Sequence, residues 1–440
     1  MIFFVFVSYE KQKCYFLRKV FLMRNKKCVL VKSFTYMKQQ ILERLGYSDR
    51  IERMFGRGVI VALTGQRRVG KSCVMRRIRD HVAQNADNHV IYIDKEKTAF
   101  DGIATYQDLE SYVTSHIEEG KENFLFIDEV QEISEFEKAI LSIQSDETCQ
   151  IMITGSNAKM LSGELATRLR GRYVAYRIRG LCYQEFLEFH GLQDDDASLT
   201  LYLQNGGLPQ LRNLGLDNPE LVEDYFDNVY NTIVLRDVIE RENIRNIPLL
   251  RTLLKFISDN IGKQFSAQSI VKFLKSQNTD TSAKVILSYL EYLCNAYIID
   301  RVNRYDIHGK KLFELGDKFY FEDLGIRNNI IGGNRSFDIE KVMENAVYCH
   351  LCRMGYKVYV GQLLKGEIDF VAEKADSIVY VQVTYLLASE DTVEREFGNL
   401  KLIKDSHPKY VVSMDRMYGQ TNVDGIKHVH LRDFLKMSVF

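Results

Sequence analysis

The string Gly65-Gln66-Arg67-Arg68-Val69-Gly70-Lys71-Ser72 limits the fold of this chain more than any other feature, because it fits GxxxxGK[ST] between an apolar run and a helix-compatible stretch. That spacing works only as a strand, a tight turn and a helix N-terminus. Its glycines let backbone amides curl around a β-phosphate, Lys71 carries a point charge to the β and γ oxygens, and the Ser72 hydroxyl reaches Mg²⁺. Gly65, Gln66, Arg67, Arg68, Val69, Gly70, Lys71, Ser72 and the following Cys73 are therefore the expected nucleotide-binding residues.

The flanking pattern agrees with such a loop. VIVALTG, HVIYID, FLFIDE and IMITGS are short apolar runs that alternate with helical stretches, which argues for a parallel sheet covered on both faces. FLFI ends in Asp128 and Glu129, two carboxylates at a strand C-terminus. Asp128 is expected to hold the Mg²⁺ shell through water, and Glu129 to orient and deprotonate the attacking water. An acidic pair after a strand also starts many helices, and the phosphate loop is what favours the catalytic role. IMITGSN ends in Ser156 and Asn157, where Asn157 can sense a γ-phosphate, although both residue types also favour turns. LATRLRGRY supplies Arg168, Arg170 and Arg172, any of which could stabilise transition-state charge, in cis or from a neighbouring subunit, or simply be solvated.

With 440 residues, 46% of them hydrophobic, the chain has room for about three domains with cores of their own. Four prolines, no collagen-like period and no stretch of eighteen apolar residues exclude fibrous and membrane-spanning classes. Residues 1–36 hold eight Lys/Arg against one Glu, so the rest of this electrically neutral chain is mildly acidic. Any nucleic-acid contact must then come from a local basic patch. Cys349 and Cys352 are the only cysteines with a two-residue gap; no second pair completes a metal site, and the bland reading is two half-buried thiols in a reducing cytosol. IFFVFV near the start lacks a preceding basic segment and a cleavage site, so a secretory signal is rejected. MKQQILERLGYSDRIERMF reads as an amphipathic helix from Met37, which makes residues 1–36 an expected extension outside the fold.

The chemistry-bearing first domain is expected over 37–192. Asp194, Asp195 and Asp196 mark a solvated boundary, and 193–330 reads mainly helical. Ser266 can cap one helix and Thr281 opens another, and two β-like runs either side of His308 to Lys311 suggest a hairpin, together a winged helix. Lys272, Lys275, Lys284, Arg301, Arg304, Lys310 and Lys311 could form a phosphate-contacting patch there, although winged helices also serve as protein contacts. Residues 331–440 read as a third, α/β domain. His428 and His430 share a strand face, expected at the surface.

GQRRVGKS, FLFIDEVQEI, ITGSNAKML, ATRLRGRY and YLQNGGLPQL together resemble the prokaryotic AAA+ ATPases that carry a C-terminal domain of restriction-endonuclease-like fold, over about residues 40 to 415. The resemblance implies an α/β P-loop ATPase domain, a winged-helix region and a nuclease-like domain, with ATP and Mg²⁺ as ligands. Arg172 matches the family arginine, and Gly180 departs from a usual proline. A nuclease of that fold uses an acid from its first helix, an Asp on the next strand and Glu-x-Lys on the following one. Glu344 and Asp369 fit the first two places, but the third reads Gln382-Val383-Thr384, so the glutamate is an amide and the lysine is lost. The site is expected to be degenerate. The chain is thus expected to be a cytoplasmic, Mg²⁺-dependent ATPase, with DNA, a second copy or a protein as partner, and no membrane. The alternative is a slow nucleotide switch or adaptor that binds a protein without nucleic acid.

Overall fold

The structure, a computed structural model, describes residues 18–24, 27–33, 42–158, 171–309, 311–312, 316–332, 338–364, 366–375, 377–387, 389–416 and 422–440. The chain divides into two compact units, 1–42 and 43–440. The first contains an antiparallel hairpin of β1 (Arg18–Arg24) and β2 (Lys27–Ser33).

In the second unit the apolar runs form a five-stranded parallel sheet of β3 (Ile60–Thr64), β4 (Asn88–Asp94), β5 (Glu122–Asp128), β6 (Gln150–Thr154) and β7 (Tyr173–Arg177), in the order β4-β5-β6-β3-β7. Every residue of β3 is buried, as expected of a strand covered on both faces. One face packs on the helices Tyr106–His116 and Phe136–Ser145 through Ile91, Leu125, Leu109 and Ile140. The other packs on the helix Lys71–Val82 through Val74, Met75 and Ile78. The same core continues through Leu208, Val234, Leu250, Leu253, Ile286 and Phe319, so the sheet and the helical segment after it share one apolar interior.

That helical segment includes Pro219–Thr232, a π-helical turn Ile233–Glu240, Ile247–Asp259, Ala267–Ser276 and Ala283–Asn295. Ser266 caps its helix, accepting from the Ser269 amide at 3.2 Å, whereas the next helix is capped by Ser282 rather than opened by Thr281. The expected hairpin is not a free wing. β8 (Ile299–Val302) pairs with β11 (Lys318–Phe321), while β9 (Arg304–Asp306) and β10 (Lys311–Leu312) form the edge of a second sheet, because β9 runs parallel to β12 (Lys357–Gln362). This eight-stranded mixed sheet continues through β13 (Glu367–Lys374), β14 (Ser377–Val383), β15 (Lys409–Ser413), β17 (Ile426–His430) and β16 (Asn422–Val423). The helices Ile339–Arg353 and Glu390–Lys401 pack against it.

Two local expectations change. Of the helix expected from Met37, the described residues form only Ser48–Glu52; Leu42–Arg44 have no regular secondary structure, Arg44 is buried, and residues 34–41 lie outside the described residues. Asp194 to Asp196 are exposed, as expected of a solvated loop, and are also partnered: Asp195 caps the helix Asp196–Asn205, and Asp194 pairs with Lys436 at 2.5 Å. His428 is buried, its Nε2 2.7 Å from Ser413 Oγ, because alternate residues of β17 face inward. Cys349 and Cys352 are partly buried and unbridged, with thiol pKa values pushed up by burial.

Candidate active site

The loop 65–70 joins β3 to the helix Lys71–Val82 in a conformation that its glycines permit. Gly65 has φ 134° and a Cβ there would lie 2.1 Å from the Ile178 carbonyl oxygen; Gly70 has φ 96° at the helix N-cap. Both conformations are strained for residues with a side chain. Lys71 is buried and donates to the Gly65 and Gln66 carbonyls at 3.0 Å each, so its ammonium is folded onto the loop. Burial lowers its pKa, opposed by the carboxylates of Glu129 and Asp128.

Asp128 stands at the end of β5 as a hub for hydroxyls: Ser72 Oγ donates to its Oδ1 at 3.0 Å and Thr154 Oγ1 at 2.5 Å. The Glu129 amide donates to Thr154 Oγ1 at 2.9 Å, which fixes the residue in a left-handed conformation, φ 55°. Burial raises the Asp128 pKa, against the two hydroxyl bonds. A buried carboxylate with a serine hydroxyl beside a phosphate loop is a hard-oxygen donor set, which suits Mg²⁺. Asp94 lies in register with Asp128 at the end of β4, a further carboxylate that the sequence offered only as another strand-end acid. Glu129 accepts from Gln131, and Asn157 and Ser156 are buried at the end of β6.

Of the three expected arginines only Arg172 is among the described residues; Arg168 and Arg170 lie outside them. Arg172 is exposed and precedes β7, whose first residue Tyr173 pairs with Ile60, at the opposite end of β3 from the phosphate loop. Five residues of strand separate the two ends, about 16 Å at 3.3 Å per residue, so Arg172 cannot serve the loop of its own chain. The arginine that does lie in the site is Arg67, whose Nε is 2.5 Å from Asp237 Oδ2 on the π-helical turn. Burial opposes its charge, but the Asp237 hydrogen bond and the nearby Glu129 carboxylate raise its pKa overall. Arg68 is exposed, and Cys73 accepts from Arg76 at 3.4 Å.

Sequence reasoning missed Asp237, 170 residues from Arg67, for which nothing local gives a signal. It also missed Arg44, which donates to the Val69 carbonyl at 2.7 Å, to the Arg179 carbonyl at 2.7 Å and to Glu185 at 3.1 Å, tethering the loop to the start of the helix Tyr183–His190. Arg353 shares Glu185 at 2.8 Å.

A second cluster lies in the C-terminal sheet. Glu344, Asp369 and Glu367 are brought together around the buried ammonium of Lys318, at 3.2, 3.7 and 2.6 Å. Gln382 accepts from the Asp369 amide at 3.3 Å, while Thr384 is buried beyond the end of β14. Tyr320 also donates to Glu344, at 2.5 Å. A cation absent from position 384 is thus supplied by β11, and the Lys318 pKa is raised by its three carboxylates against burial. Glu367 was legible as a second acid, two residues before Asp369 on the same strand face; Lys318 was not. Among the described residues no group of three or more His, Cys, Asp or Glu has the geometry to hold a metal ion, and no helix is long and apolar enough to cross a membrane.

Residues 57–187 match the model of the AAA domain family, and residues 196–336 match a domain of unknown function (DUF8612). An uncharacterized protein of Haemophilus influenzae is 32% identical over 406 residues, covering 91% of this chain and 100% of its own length. The uncharacterized protein MJ1544 of Methanocaldococcus jannaschii is 28% identical over 404 residues, covering 86% and 88%. Among solved structures, the Walker-type ATPase PABY2304 of Pyrococcus abyssi is similar at 16% identity and a TM-score of 0.45, over 64% of this chain and 94% of that one.

Proposed function

This chain belongs to one family with the Haemophilus influenzae protein and carries an AAA domain over 57–187, and from that footing we propose that it binds ATP with Mg²⁺ and hydrolyses it. The observation that carries the reading is the convergence of Lys71, Ser72, Asp128 and Glu129 at one end of the parallel sheet, with Ser72 Oγ 3.0 Å from Asp128 Oδ1. Loop amides and Lys71 hold the phosphates. The Ser72 hydroxyl and, through water, Asp128 hold Mg²⁺, which when bound neutralises charge on the β and γ oxygens. Glu129 takes a proton from the attacking water as its oxygen bonds to the γ-phosphorus. The bond to the bridging oxygen breaks, ADP leaves with the electron pair, and the proton passes to the phosphate product. Asn157 orients the same water from the end of β6.

Nucleotide state is then passed to the helical segment and the C-terminal sheet, which are read as the winged-helix and nuclease-like regions. The Lys318 ammonium among Glu344, Glu367 and Asp369 supports a degenerate nuclease-like site, so supercoiled plasmid with Mg²⁺ should stay uncut. A slow switch that binds a protein is the second reading. What favours it is that two arginines of the basic patch are already engaged: Arg301 pairs with Asp317 at 2.5 Å and Arg304 donates to Gln362. Steady-state ATP turnover with and without DNA separates the two, since stimulation by DNA supports action on nucleic acid and indifference supports the switch.

The primary reading is tested by Lys71→Ala. Calorimetric titration with MgATP should give measurable heat for the wild type and none for the variant. A variant that binds as the wild type does would remove the loop from the site.

A further inference from the structure

We propose that Arg67 is the arginine that faces the γ-phosphate within its own chain, and that Asp237 holds it in the nucleotide-free protein and releases it when MgATP binds. This inference rests on the ATP-binding reading of the loop 65–72 and adds to it a catalytic residue and a nucleotide-sensing contact.

The guanidinium of Arg67 is only partly satisfied. Its Nε is engaged by Asp237 Oδ2 at 2.5 Å, but its Nη2 is buried with no hydrogen-bond partner. Asp237 Oδ1 is likewise buried without a hydrogen bond, its nearest cation being Arg241 at 3.6 Å. Each of these groups thus keeps one hydrogen-bonding position that a ligand or a second arrangement could take. An anion with several acceptor oxygens in this loop satisfies the Arg67 donor.

Charge balance gives the direction. Lys71 and Arg67 face Asp128, Glu129 and Asp237, and Arg241 stands 3.6 Å from Asp237, so these cations already have carboxylate partners before a negatively charged magnesium nucleotide arrives. A terminal phosphate beside Arg67 would meet the Asp237 carboxylate as a like charge. The two anions therefore compete for one guanidinium, and binding of the nucleotide expels the weaker. The residue expelled sits on a π-helical turn, Ile233–Glu240, between two α-helices, and π geometry is frequent where a helix changes register at a functional site. Ile233, Val234 and Val238 of that turn are buried in the core shared with the sheet, so a shift there is transmitted to the helical segment. Arg172, which stands at the far end of the sheet, does not compete for this role within one chain.

The test uses the full chain with three substitutions: Arg67→Gln, Arg67→Lys and Asp237→Asn. Affinity is read by calorimetry with the magnesium complex of a nonhydrolysable ATP analogue, and turnover by phosphate release. Arg67→Gln should lower kcat by about a hundredfold or more, with Arg67→Lys recovering part of it. Asp237→Asn should act in the opposite sense and tighten the analogue about tenfold, because the competing carboxylate is gone. A purely structural ion pair would make Arg67→Gln and Asp237→Asn equivalent: equal losses of melting temperature, affinity and turnover would overturn the inference. So would Arg67→Gln turning over at the wild-type rate. If the wild type binds no nucleotide, or Lys71→Ala still does, the underlying ATP reading falls; if that reading holds and Arg67→Gln is silent, only this inference falls.

Discussion

Single residues in this chain owe their roles to neighbours far off in sequence. Asp323 caps the helix Leu324–Ile331 by accepting from the Ile326 amide at 3.0 Å, and it also accepts from the Gly207 amide at 2.8 Å. Burial pushes its pKa up from 3.8 to about 6, despite those amide bonds. In the unfolded chain the group titrates near about 3.9. The native state therefore holds a proton that the unfolded state has lost between about pH 4 and pH 6, and the contribution of Asp323 to stability falls as pH rises through that window. A displacement of that size corresponds to about 3 kcal/mol. Urea denaturation of the wild type and Asp323→Asn at pH 4 and pH 7 should show the difference between them shrinking in favour of the variant by that order. A difference independent of pH would mean the carboxyl is ionised throughout. Residue legibility was uneven for the same reason. Lys71, Ser72, Asp128 and Glu129 announce themselves because a phosphate loop and a strand-end acidic pair are local patterns. Lys318 and Asp237 do not, because Glu344, which Lys318 meets, lies 26 residues away and Arg67, which Asp237 meets, lies 170 residues away, each on another element.

At the scale of elements, the alternation of apolar runs with helical stretches was enough for the parallel sheet, since a strand buried on both faces carries a continuous hydrophobic run whatever surrounds it. The edge strands were harder. β9 and β10 hold three and two residues, and such short runs take their sheet from whichever neighbour offers unpaired backbone groups. Of the helix expected from Met37, the described residues hold only Ser48–Glu52, and Arg44 before it is buried on the Val69 carbonyl. That tether predicts a measurable cost. Arg44→Met leaves Glu185 with Arg353 as its remaining guanidinium and frees the back of the phosphate loop. Stability should fall by about 3–5 kcal/mol, as when one partner of a buried ion pair is removed, and affinity for MgATP should fall with it. Arg353→Met, which leaves the Val69 contact intact, should lose stability without losing affinity. Parallel denaturation and calorimetry check both, and unchanged nucleotide affinity in Arg44→Met would separate the tether from the loop.

For the whole molecule, Glu43 to Phe440 form one compact unit and Met1 to Leu42 another. The reason is visible in two interiors. One apolar core runs from Val61 through Leu250 to Phe319, and a buried ion cluster joins Arg177 and Arg179, beyond the phosphate-loop end of the sheet, to Asp300 and Glu322. A chain beginning at Met37 should therefore melt at the wild-type temperature and in one cooperative transition. Two separated transitions, or a loss of several degrees, would show that residues 1–36 contribute to the fold. By itself the sequence determined the phosphate loop, its strand-end carboxylates and the sheet class, because each is written in residues adjacent along the chain or repeated at a fixed period. Which arginine lies beside the loop 65–70 with Asp237, which lysine fills the acidic cluster and how the helical and C-terminal parts join the sheet were decided by the tertiary structure. Those are contests between charges brought together across long loops, and burial, which sets the strength of each charge, exists only once the chain is folded.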